Sequence, residues 1–185
     1  MLFAPRGGNL KCSVEPFRRL VPTTGTLSVS WLWSPLPAYT SGPCAICLHL
    51  RSLRYLPGFL WHTLQSARQV QRAPGFLGGV LAGDKALGSW TITAWTSEAA
   101  MRDYRNTDAH FRAMPKLLPW ADEASFVHWE QESPPLPSME ETLRRLVTEG
   151  KRSKVNHPSP SHAAQQIAAE LPRVGRRLRP AGQPD

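Results

Sequence analysis

GSWTITAWTSEAAMRDYRNTDAHFRAMPKLLPWADEASFVHW, residues 88–129, reads as strand, helix, broken helix and strand in one short block. Trp90, Ile92 and Ala94 alternate with Thr91, Thr93 and Trp95, the period of two expected of a strand. Ser97 is a good helix N-cap, and Glu98 places a negative charge in the first turn, where the helix dipole favours it. Ala100, Tyr104, Thr107, Phe111, Met114 and Leu118 recur at helical spacing, interrupted at Asn106-Thr107-Asp108. Pro115 and Pro119 are expected to end the helix, because proline supplies no N–H to the helical ladder. Ser125, Val127 and Trp129 then alternate with Phe126, His128 and Glu130 as a further strand.

Upstream, residues 45–54 alternate Ile46, Leu48 and Leu50 against Cys47, His49 and Arg51, which predicts a first strand. Pro57-Gly58 breaks it. A helix is expected over 59–72, with Leu60, Leu64 and Ala67 on its apolar stripe and His62, Gln65, Gln69 and Arg72 on its polar side. Ala73-Pro74-Gly75 stops it, and 76–83 is a glycine-rich strand. The order strand, helix, strand, strand, helix, strand predicts an α+β protein of ferredoxin-like βαββαβ type. Its four-stranded antiparallel sheet would carry both helices on one face. The other face needs a cover, and two-fold pairing into a homodimer is the simplest one.

A chain of 185 residues holds one domain with a real core plus tails. The net charge of +8 is uneven: residues 46–131 carry nine Lys/Arg against seven Asp/Glu, and the excess lies in the tails. A specific nucleic-acid face is therefore not expected on the folded part. Cys12, Cys44 and Cys47 form no disulfide framework and suit a reducing, cytoplasmic setting. No apolar run reaches the roughly twenty residues of a membrane span. Residues 1–44 are expected to be disordered or an over-extended N-terminus, with the folded domain at 45–131. A linker and a helix capped by Ser138 and Glu141 should occupy 132–150, and 151–185 is expected to be a disordered basic tail.

Three motifs, RAPGFLGG at 72–79, SWTITAW at 89–95 and EAAMRDYRNTDAHFRAM at 98–114, resemble the dimeric α+β barrel superfamily. Within it the chain is similar to antibiotic-biosynthesis-monooxygenase-like and spheroidene-monooxygenase-like proteins. It is nearest to a bacterial family of the DUF3291 type, which shares the tail GKRSKVNHPSP at 150–160. The resemblance implies a monooxygenase-like protein acting on a small apolar or aromatic/polyene substrate held between helices and sheet. It leaves a non-catalytic dimeric ligand- or haem-binding protein as the alternative, so the cofactor is either none or haem. Haem-degrading relatives place an iron-ligating histidine and a tryptophan where this chain has Met114 and Tyr104, a poor match. His110 resembles the histidine that monooxygenase-like relatives carry on the second helix.

His110 is the candidate catalytic residue, since a near-neutral imidazole can move a proton; a histidine bonded to a backbone carbonyl is the plain alternative. Trp61, Trp90, Tyr104 and Phe111 are candidates for an apolar substrate wall, or else fill the core. No metal site is expected, because His49, His62 and His128 lack ligand spacing. No serine or cysteine nucleophile with a partnered base and no Rossmann or P-loop glycine pattern is visible, which leaves hydrolase and nucleotide-dependent readings little support.

Overall fold

The computed structural model describes residues 42–83, 87–132, 136–167, 172 and 174–182. The expectation for the first 44 residues therefore lies almost wholly outside the described residues. The elements are β1 Gly42–Leu50, α1 Leu56–Val70, β2 Phe76–Gly83, β3 Gly88–Trp95, α2 Glu98–Arg105, α3 Asp108–Trp120 and β4 Ala121–His128. They are followed by α4 Met139–Glu149, β5 Lys151–Arg152, α5 Pro160–Ala163 and β6 Val174–Leu178. All pairings are antiparallel, in the order β5-β4-β1-β3-β2-β6. The inner four strands, β4-β1-β3-β2, have the ferredoxin-like order expected of the βαββαβ unit.

β3 is buried on both faces, so its alternation separates two environments rather than core from solvent. Trp90 and Ile92 join Ala45, Val127, Trp129 and Leu146 in one cluster. On the opposite face Trp95 packs with Val70, Phe76 and Tyr104, while Leu48, Leu50, Ala121 and Ala124 meet Phe59, Leu117 and Trp120. The helices α1, α2 and α3 therefore cover one face, and α4 covers the other with Leu146, Leu143 and Met139. The face assigned to a second copy is thus filled by the chain's own C-terminal helix. An uncovered sheet face gives no reason for a homodimer here.

Several sequence expectations are corrected. Pro115 and Pro119 lie inside α3. Pro115 is exposed, and the carbonyl that loses its helical donor belongs to Phe111, which is itself exposed. The described residues beyond Gly150 are also built into the fold. β5 pairs Arg152 with Ser125, β6 pairs with β2 from Gly79↔Leu178 to Gly83↔Val174, and Leu178 and His162 are buried. Between them, the Ser153, Asn156 and Ser159 N–H groups donate to the carbonyls of Ala124, Leu118 and Asp122. Edge strands offer rows of unpaired backbone groups, and this segment satisfies them. Main-chain bonding carries no apolar periodicity, which is why the tail read as disordered.

Candidate active site

The site forms where α2 breaks into α3. Ser97 caps α2, accepting from the Ala100 N–H. The helix ends at Asn106, and Asp108 restarts it in the left-handed region at φ 47. Asp tolerates that conformation better than a branched residue. Gln69 of α1 holds the break together. Its Nε2 donates to the carbonyls of Tyr104 and Thr107, both at 3.1 Å, and its Oε1 accepts the His110 N–H at 2.8 Å.

This arrangement sets His110 against Tyr104, with ring centroids 4.8 Å apart. Tyr104 packs in turn on Trp95 at 5.2 Å, and Trp95 on Phe76 at 5.4 Å. The Tyr104 hydroxyl donates to the Ser66 carbonyl at 3.3 Å. Burial raises the phenol pKa well above its ordinary range, so Tyr104 is neutral. His110 Nδ1 donates to the Arg105 carbonyl at 3.2 Å, which fixes the tautomer and leaves the lone pair on Nε2. Burial lowers the imidazole pKa; the Arg105 carbonyl opposes that shift, and the Arg105 charge adds to it. The ring is a neutral base at physiological pH. Cys44 lies on the same face of the sheet, its thiol pushed up to about 11 by burial, and is not a thiolate nucleophile.

Beside Tyr104 an open groove of about 850 Å³ runs between the C-terminal half of α1 and α2. Its walls include Gln65, Arg68 and Arg72 from the α1 side and Thr96, Tyr104 and Asp108 from the other. It is more polar than the aromatic pocket expected. A smaller recess of about 100 Å³ lies between Cys44, Glu98, Met101 and His128.

Of the five site residues proposed from sequence, the structure brings together His110 and Tyr104. Trp90 is 1 % exposed and lies on the opposite face of the sheet, under α4. Trp61 and Phe111 are 60 % and 58 % exposed on the outer surfaces of α1 and α3. These three do not wall a common pocket with His110. Trp90 fills the core, the plain alternative, and spacing alone does not say which face of its helix Trp61 or Phe111 occupies. Gln69 was missed as an organiser. In sequence it is one polar residue on a polar flank, and no local signal marks its bonds to Tyr104, His110 and both the carbonyl and hydroxyl of Thr107.

Three further histidines, His49, His62 and His128, go to separate places. His49 Nδ1 lies 2.6 Å from Asp122, His62 packs on Trp120, and His128 lies 3.6 Å from Glu98. Among the described residues no group of three His, Cys, Asp or Glu is placed to hold a metal ion. No helix among them is long and apolar enough to cross a membrane. The groove beside Tyr104 does not fit haem. The groove lining offers no histidine, cysteine or methionine as an axial ligand, and the Tyr104 hydroxyl is committed to Ser66.

No family model and no curated protein matches this sequence. Solved structures align with about half of it. A candidate antibiotic biosynthesis monooxygenase of Nitrosomonas europaea is 12 % identical over 51 % of this chain and 92 % of its own, with a TM-score of 0.47. A conserved protein of Methanosarcina mazei Go1 is 9 % identical over 50 % and 93 %, at 0.45. SnoaB, a cofactor-independent oxygenase from Streptomyces nogalater, is 14 % identical over 51 % and 95 %, at 0.42.

Proposed function

We propose that the chain is a monooxygenase-like protein that receives a small aromatic substrate in the groove between α1 and α2, with His110, which packs behind the groove wall against Tyr104, as its base. One observation carries this reading: a neutral imidazole with a fixed tautomer lies tilted against Tyr104, ring centroids 4.8 Å apart, and Tyr104 itself lines the groove. The chemistry asked of it is modest. Nε2 accepts a proton from an acidic O–H of the substrate, and the electron pair stays on the substrate as an aryloxide. The aryloxide reacts with dioxygen; for a naphthol-like ring the balance is one ring C–H and the O–H converted to a quinone, with one water released. A positioned base contributes roughly 10²–10⁴-fold to such a step. Tyr104, its hydroxyl engaged with Ser66, serves as an aromatic wall and not as a proton donor. The alternative, a ligand-binding protein without catalysis, uses the same groove.

1-Naphthol is a suitable probe, with binding followed by quenching of tryptophan emission and turnover by oxygen uptake. The enzymatic reading expects both, with uptake falling at least about a hundredfold in His110→Gln while binding is kept. Binding without uptake in the unaltered protein leaves the ligand-binding alternative. Equal uptake in His110→Gln removes His110 from the mechanism.

A further inference from the structure

The outer surface of the helical layer combines exposed apolar side chains with unopposed cations. Among the described residues the exposed large apolar side chains are Leu53, Leu60, Trp61, Leu64, Phe111 and Met114, together with Val147 of α4. All but Val147 belong to α1, the turn before it, or α3. The two helices run antiparallel side by side. Gly58 sits against Trp120 at one end, and Gln69 bonds His110 at the other. Their outer surfaces therefore lie together on one side of the molecule.

The charge on that side is mostly positive, with Asp103 and Asp108 at the groove edge beside Arg68 and Arg72. Arg54, Arg68, Arg72, Arg112 and Lys116 are exposed, and none forms an ion pair among the described residues. No acidic residue occurs anywhere between Glu15 and Asp84, and Asp108 is the single acid of α3. We infer that this surface docks onto an anionic lipid bilayer. Trp61, Phe111 and the leucines would enter the headgroup boundary, and the arginines would meet lipid phosphates. Indole and phenyl rings with flanking Lys/Arg are the chemistry that such an interface selects. A second copy of the chain is the poorer occupant. A two-fold contact places the patch on itself, so Arg68, Arg112 and Lys116 would face their own counterparts with almost no acid to offset them. The inference does not depend on the catalytic reading.

The full chain is tested by flotation with vesicles of phosphatidylcholine alone and of phosphatidylcholine with phosphatidylglycerol. Partitioning is expected to be at least about tenfold stronger on the anionic vesicles and to weaken as salt is raised. Brominated lipid should quench tryptophan emission, and that quenching should be lost in Trp61→Phe. The double variant Trp61→Ser/Phe111→Ser, with its melting curve checked against the parent, should lose about tenfold in partitioning. Arg68→Glu/Arg112→Glu should lose at least as much and provides an independent variant. The inference is overturned by absence of binding to anionic vesicles. Equal binding by both double variants also overturns it, because the basic tails would then carry the attraction. A dimer that the same substitutions dissolve, in a protein that ignores vesicles, assigns the surface to self-association instead.

Discussion

Gln69 and His110 lie forty-one residues apart in the chain and meet through a 2.8 Å bond from the His110 N–H to the Gln69 amide oxygen. The same amide's nitrogen donates to Tyr104 and Thr107, so one side chain from α1 fixes the end of α2 and the start of α3. The left-handed Asp108 is held in that clamp. The position of the imidazole is therefore a property of the α1–α3 contact and not of the helix that carries it.

Gln69→Ala should loosen the break without unfolding the sheet. Three backbone groups lose a partner, and the expected cost is about 1–3 kcal/mol. Urea denaturation measures the loss. Hydrogen exchange should show faster opening at Thr107 and His110 with little change in β1 and β3. Uniform exchange across the molecule would mean that the clamp is not local.

Acid should reach the fold through His110. Its folded-state pKa lies below the ordinary 6.5, so the unfolded chain takes up the proton first as pH falls. The stability it contributes is fully present above that value, is lost as pH drops toward the folded pKa, and levels off below it. Denaturation midpoints recorded between about pH 8 and pH 5 should fall more steeply for the parent protein than for His110→Gln. Parallel curves would show that the ring titrates as in the unfolded chain.

Two tryptophans should behave oppositely. Trp90 is buried under α4, and Trp90→Ala is expected to cost about 3–5 kcal/mol. Trp61 is exposed, and Trp61→Ala should stay within about 0.5 kcal/mol. Leu146→Ala, which opens the α4 contact with the sheet, should cost about 2–5 kcal/mol. Calorimetry or urea melts rank the three. A harmless Leu146→Ala would mean that α4 does not cover that face in solution.

Ending the chain at Gly150 should lower stability clearly. The shortened protein loses β5 and β6, leaves both sheet edges unpaired, and exposes Leu178's neighbours Val70 and Phe76. The denaturation midpoint should drop and the transition broaden. An unchanged midpoint would show that the terminal pairing contributes nothing.

Periodicity made the inner sheet legible. Alternation through β1, β3 and β4, the proline and glycine stops, and the Ser97 cap are local signals, and they set the ferredoxin-like order by short connections. The polar interruption at Asn106-Thr107-Asp108 likewise announced the break beside His110. Which face each element presents was not local information. β3 is apolar or aromatic on both sides, so its pattern does not say that Trp90 turns toward α4 and Trp95 toward Tyr104. The outward orientation of Trp61 and Phe111 depends on how α1 and α3 pack, since an amphipathic stripe this broad admits more than one rotation. The tertiary structure alone decided that Lys151–Arg152 and Val174–Leu178 join the sheet. Backbone hydrogen bonds to exposed edges are indifferent to side-chain pattern, and a sequence shows only side chains.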